Sequence, residues 1–154
     1  MMRSLLLALV ALLVQPVLGQ QSITLDEIWS GAFSTEGIAN FRPLSSSDAY
    51  TVLEYKDGKS QIVSYRYSDM KTATVLLESG GEIPRFSNYT FSADESKLLL
   101  ATQRTPIFRR SSEAVYFVYD LRTQKLTPVG AEKIRVPSFS PDGSQIAYVK
   151  DNNL

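Results

Sequence analysis

The chain has 154 residues, 44% of them apolar and 21% charged, which suits a single ordinary globular domain. Sixteen basic residues balance sixteen acidic ones, which argues against a nucleic-acid partner, since such proteins carry a basic excess or stripe. With no Cys and no His, the chain has no disulfide scaffold, no thiolate metal site and no middle member of a Ser-His-Asp triad.

Arg3, the unbroken apolar run of ten residues from Leu5 to Val14, Pro16 and then Val17-Leu18-Gly19 read as a secretory signal helix cleaved after Gly19. Ten apolar residues fall short of the about 20 that a spanning helix needs. Residues 1–19 are therefore expected to direct export, to the periplasm or the medium. Residues 20–40 form a lead-in segment, in which Thr24 to Phe33 starts a short helix with Thr24 as N-cap and Glu27 as its capping-box partner.

From Phe41 onward the chain reads as short strands. Ala49 to Tyr55 and Ser60 to Tyr67 flank Lys56-Asp57-Gly58-Lys59, whose Asp-Gly pair marks a hairpin. Thr72 to Glu78, Lys97 to Thr102, Ala114 to Leu121, Lys125 to Val129, Val136 to Ser140 and Gln145 to Lys150 continue in the same Val-, Leu-, Ile- and Tyr-rich style. A repeat organises them. Phe139-Ser140-Pro141-Asp142-Gly143 is one copy, Phe91-Ser92-Ala93-Asp94-Glu95 is a looser copy 48 residues earlier, and Phe41-Arg42-Pro43 is a faint third, 50 residues before that. About four strands per period fits a propeller blade, and Ser-Pro-Asp-Gly suits a type I turn joining a blade's innermost strand to the next one out. The fold class expected is all-β: a partial β-propeller over residues 41–154, with about two four-stranded blades and the start of a third. Propellers close with about four to eight blades, so the sequence reads as a fragment of a larger propeller.

Gln103 to Glu113 stands out as an eleven-residue connection where two to five residues are usual, and it carries Arg104, Phe108, Arg109 and Arg110. A guanidinium there offers a fork of donors suited to carbonyl or carboxylate oxygens, although most surface charges are merely solvated. Trp29 and the tyrosines at strand positions fit packing better than a stacking surface. Asp94 and Asp142 are lone turn acids, not a convergent metal site. Asn88-Tyr89-Thr90 is a formal glycosylation sequon lying across an expected inner strand. No catalytic residue, metal site or cofactor is expected in this chain.

Three stretches together resemble the dipeptidyl peptidase IV branch of the prolyl oligopeptidase superfamily, in the N-terminal portion of its propeller. They are Ile23 to Gly31, Phe91 to Leu126 with its Leu triplet, Phe108-Arg109 and Val115 to Leu121, and Phe139 to Leu154. The resemblance implies a complete protein with a C-terminal α/β-hydrolase domain bearing the Ser, Asp and His, and a propeller that gates it. It implies serine-type proteolysis that releases dipeptides from peptides with a free N-terminus, with Pro or Ala preferred at the cut. It also implies the rest of the propeller and a second copy of the protein as partners. The family's Glu pair for the substrate amine has no match here. One residue carries over: Arg109 matches the family's substrate-binding arginine, which reaches the backbone carbonyl and nearby carboxylates. The rival reading is a non-catalytic periplasmic propeller that binds a protein partner, and the turn repeat suits both.

Overall fold

A computed structural model describes residues 23–35, 37, 41–71, 73–151 and 153; the expected signal helix lies outside the described residues. They divide into two compact units, one through Gly37 and one from Ile38 onward. In the first, helix α1 (Leu25–Trp29) carries the capping box foreseen for it: Thr24 Oγ1 accepts from the Glu27 amide at 3.2 Å, and Thr24 N donates to the Glu27 carboxylate at 2.8 Å. The bond from the Thr24 amide, joined by one from the Thr24 hydroxyl at 3.0 Å, holds the Glu27 carboxyl below its usual pKa. None of the helix residues is buried.

The second unit is all strand. β1 (Arg42–Pro43), β2 (Ala49–Lys56), β3 (Lys59–Arg66) and β4 (Ala73–Glu78) form one antiparallel sheet in chain order. β5 (Asn88–Phe91), β6 (Lys97–Phe108), β7 (Ser111–Asp120) and β8 (Leu126–Pro128) form a second, and β9 (Arg135–Phe139) pairs with β10 (Ile146–Val149). Two four-stranded blades and the start of a third are thus present, each led by its repeat copy. The β2–β3 hairpin closes on Asp57 and Gly58, both at positive φ (49° and 77°), the geometry an Asp-Gly pair supplies most readily.

The sequence sets each strand's inner face by alternation. On β2, Ala49, Thr51 and Leu53 are buried while Tyr50, Val52 and Glu54 remain half-exposed. β6 differs: Leu98 through Thr102 are all buried, as expected for a central strand covered on both faces. Leu53, Ile62 and Leu77 of the first sheet meet Phe86, Tyr89, Leu98, Leu100 and Tyr119 in one core between the two blades. Each fully buried Leu, Ile or Phe there contributes about 1.5–3 kcal/mol. The blades are also pinned by polar contacts near their innermost strands. Tyr89 donates from its buried hydroxyl to Thr51 Oγ1 at 2.7 Å, and Arg42 donates to Asn88 Oδ1 at 2.7 Å while its guanidinium lies 4.4 Å from the Tyr89 ring centre. The sequon asparagine is therefore a strand residue whose side chain is engaged.

The repeat turns explain themselves at atomic level. In the second blade Glu95 N donates to Ser92 O, and in the third Gly143 N donates to Ser140 O, both at 2.9 Å. Ser92 donates to Asp94 at 2.6 Å, and the Ser96 amide returns to the same carboxylate; Ser140, Asp142 and Ser144 repeat the arrangement. The serine hydroxyl of Ser92, joined by Ser96, holds the Asp94 carboxyl down to about 2, and Ser140 with Ser144 does the same for Asp142. Both acids spend their oxygens on their own turns. The position that is Gly143 in the third blade, at φ 66°, is Glu95 in the second, at φ 56°. An ordinary side chain pays about 1–2 kcal/mol for the left-handed conformation, and Glu95 recovers it by reaching into the first blade. Its carboxylate accepts from the Ser45 and Ser46 amides and from the Ser46 hydroxyl. Burial opposes ionisation of Glu95 more than any single contact favours it, yet the bonds from Ser46 and Ser45 together keep its pKa below the usual value. On the other side Lys97 Nζ donates to Gly143 O at 2.7 Å, so consecutive turns are linked from one blade to the next.

Candidate functional site: the β6–β7 hairpin and its groove

The connection expected as an eleven-residue loop is instead a hairpin. β6 continues to Phe108, β7 begins at Ser111, and only Arg109 and Arg110 turn. Beyond Ala101, β5 no longer pairs with β6, so β6 has a free edge there and Pro106 is tolerated opposite Ser112. Register shifts between Thr102 and Thr105, and between Pro106 and Phe108, absorb the residues that break the alternation. Gln103, at φ 47°, takes the left-handed turn of the first shift.

Arg109, the one site residue foreseen from sequence, sits at the tip of this hairpin. It is exposed, and neither it nor Arg110 has a hydrogen-bond or ion-pair partner among the described residues. Phe108 beside it is 79% exposed, an apolar surface next to an uncommitted guanidinium. Arg104 behaves differently. Its Nε donates to Ser112 Oγ at 2.8 Å across the hairpin, fixing the direction of its guanidinium. The nearby Tyr116 phenol is pushed up by burial and drawn partly back by the Arg104 charge. Lys133, from the segment leading into β9, donates to Thr105 and braces the hairpin from the side.

Where the base of the hairpin passes the end of β2 lies a groove of about 260 Å³, lined by Tyr55, Arg85, Phe86, Ser87, Gln103 and Arg104. The Arg85 guanidinium stands 5.3 Å from the Tyr55 ring centre. Sequence reasoning treated Arg104 as a solvated charge, read Tyr55 as a packing aromatic although it is 52% exposed, and passed over Arg85. Nothing local in the sequence marks them as a group, because they come from three segments that only the fold brings together. Among the described residues no cluster of three acidic, His or Cys side chains could hold a metal.

A four-stranded antiparallel unit repeated after 48 to 50 residues, with Ser-x-Asp turns in the second and third sheets, defines part of a β-propeller. Residues 92–154 match the family model of the dipeptidyl peptidase IV (DPP IV) N-terminal region. The probable dipeptidyl peptidase 4 of Aspergillus fumigatus is 29% identical over 141 residues, covering 88% of this chain and 18% of that protein. Dipeptidyl aminopeptidase B of Saccharomyces cerevisiae is 33% identical over 100 residues, which cover 62% of this chain and 12% of the relative. The crystal structure of Porphyromonas gingivalis dipeptidyl peptidase 4 superposes with a TM-score of 0.69 at 30% identity, over 88% of this chain and 20% of that one. The resemblance to the dipeptidyl peptidase IV branch thus holds over the N-terminal propeller region, and the matches span 12% to 20% of the length of these relatives.

Proposed function

We propose that this chain is the N-terminal propeller portion of an exported, dipeptidyl peptidase IV-like serine exopeptidase. The complete protein removes dipeptides from free peptide N-termini, with Pro or Ala preferred at the cut, and its triad resides in a C-terminal α/β-hydrolase domain. The partners of this portion are the peptide substrate, the remaining blades, the hydrolase domain and a second copy of the protein. Its own contribution is to gate the substrate and to hold a backbone carbonyl through Arg109. The observation that carries the reading is the match of residues 92–154 to the DPP IV N-terminal region, together with an exposed, unpaired Arg109 on a braced hairpin tip. The apolar run after Arg3 supports export.

The test requires the complete protein. A charge-assisted hydrogen bond is worth about 1.5–3 kcal/mol, so Arg109→Ala lowers kcat/KM by about one to two orders of magnitude. Arg109→Lys restores part of the loss, since a point charge lacks the fork. Arg110→Ala stays within a few-fold of the parent. Equal small effects at both positions, with matched thermal midpoints, refute the role of Arg109. A gene that stops after the last blade, with no Gly-x-Ser-x-Gly elbow downstream, replaces the peptidase with the partner-binding propeller.

A further inference from the structure

We propose that the groove between the end of β2 and the base of the β6–β7 hairpin is a carboxylate subsite, with Arg85 and Arg104 as its cationic walls, that takes an Asp or Glu side chain of a bound peptide. Among the described residues only two ion pairs form, Lys59 with Glu78 and Lys150 with Glu132, and neither involves an arginine. The chain has as many acids as bases, so the bare guanidinia of the groove do not reflect a shortage of acid. Arg104 is fixed through Nε to Ser112, which leaves its terminal nitrogens available in a set direction, the preorganisation that bidentate carboxylate binding exploits. Arg85 is supported by the Tyr55 ring. Gln103, at the register shift of β6, adds its amide to the lining. The exposed Tyr55 ring forms an apolar wall, which suits a ligand with a methylene stem better than a bare inorganic anion. A volume of about 260 Å³ lies just under the range of small-molecule pockets, about 300–1,000 Å³, and suits one side chain.

The peptide as the source of the carboxylate rests on reading the hairpin as a peptide-contacting element; the binding itself is measured without turnover. The full chain, isotopically labelled, is titrated with acetyl-Ala-Glu-Ala-amide, with acetyl-Ala-Gln-Ala-amide and with inorganic phosphate, and backbone amide shifts are followed. The expected result is saturable binding of the Glu peptide, with shifts centred on Arg85, Ser87, Gln103 and Arg104, and clearly weaker binding of the Gln peptide. Arg85→Gln and Arg104→Gln each weaken the Glu peptide by about three- to tenfold, a charge-assisted bond discounted for exposure. Arg104→Lys recovers part of the loss and Arg110→Gln leaves affinity unchanged. Both groove arginines are exposed, and unchanged thermal midpoints verify the fold of each variant. Absence of binding, equal affinity for the Glu and Gln peptides, phosphate bound as tightly as the Glu peptide, or shifts centred elsewhere overturns the subsite. An inactive complete protein leaves this titration unaffected, and a failed titration leaves the Arg109 kinetics unaffected.

Discussion

The Tyr89–Thr51 hydrogen bond is the sharpest test of how the two blades hold each other. Both residues are almost wholly buried, at 1% and 0% exposure, and they lie on different sheets 2.7 Å apart. Tyr89→Phe removes the donor without opening a cavity. Thr51 keeps a use for its hydroxyl, which donates to Arg42 O at 3.4 Å, so the loss is one net hydrogen bond, about 1 kcal/mol. Thr51→Val strands the Tyr89 hydroxyl in the core, and an orphaned buried polar group costs about 1–3 kcal/mol. For a chain of this size 1 kcal/mol moves the midpoint by about 3–4 °C. Tyr89→Phe should therefore lower Tm by about 3–4 °C and Thr51→Val by about 3–12 °C in calorimetry of the full chain. The double variant should lose less than the two losses combined, with a coupling of about 1 kcal/mol. Losses that add to within about 0.3 kcal/mol, the scatter of independent sites, would mean that the bond does not join the blades.

Further outcomes follow from the turns and the core. Because Asp94 and Asp142 have folded pKa values of about 2 against an ordinary 3.8, the stability they add is complete above about pH 4 and fades as pH falls toward 2. Asp94→Asn or Asp142→Asn should flatten the acid limb of a Tm-versus-pH curve; an unchanged limb would show that the turns do not govern it. The Tyr65 phenol, which donates to Glu54, is pushed up to about 12 by that bond and by burial. Its contribution is present below about pH 10 and is lost as pH rises toward 12, so Tyr65→Phe should flatten the alkaline limb. Leu100→Ala, at a fully buried position, should cost about 2–5 kcal/mol in chemical denaturation. Gly143→Ala should destabilise the full chain by about 1–2 kcal/mol, because its φ of 66° is left-handed backbone that a side chain strains; a neutral result would show that this turn relaxes to accept a Cβ.

Blade count and strand order were legible because alternation and turn chemistry are local. Asp57-Gly58 dictates its hairpin, and Phe-Ser-Pro-Asp-Gly announces the step from inner strand to second strand. The β6–β7 hairpin was not legible. Arg104 and Pro106 disguise strand as loop, and the loss of β5 as a neighbour makes Pro106 acceptable in a strand. Glu95 illustrates a different limit. It weakens the turn signature, and its reason lies 50 residues away at Ser45. Arg109 was singled out by family likeness, whereas Arg85, Tyr55 and Arg104 share a groove that no sequence spacing could have suggested.

The linked turns bear on how such a fold can grow by duplication. Glu95 fastens the second blade backward to the first and Lys97 fastens it forward to the third, so the middle blade carries fittings for two specific neighbours. A second copy of the middle blade placed after it would turn its own Glu95 toward a blade that lacks the Ser45 and Ser46 amides. Drift after duplication must therefore run in matched pairs across the seam between blades. The departure of Phe91-Ser92-Ala93-Asp94-Glu95 from the Phe139 copy of the repeat has a local use at Glu95, which makes the second blade specific to the first.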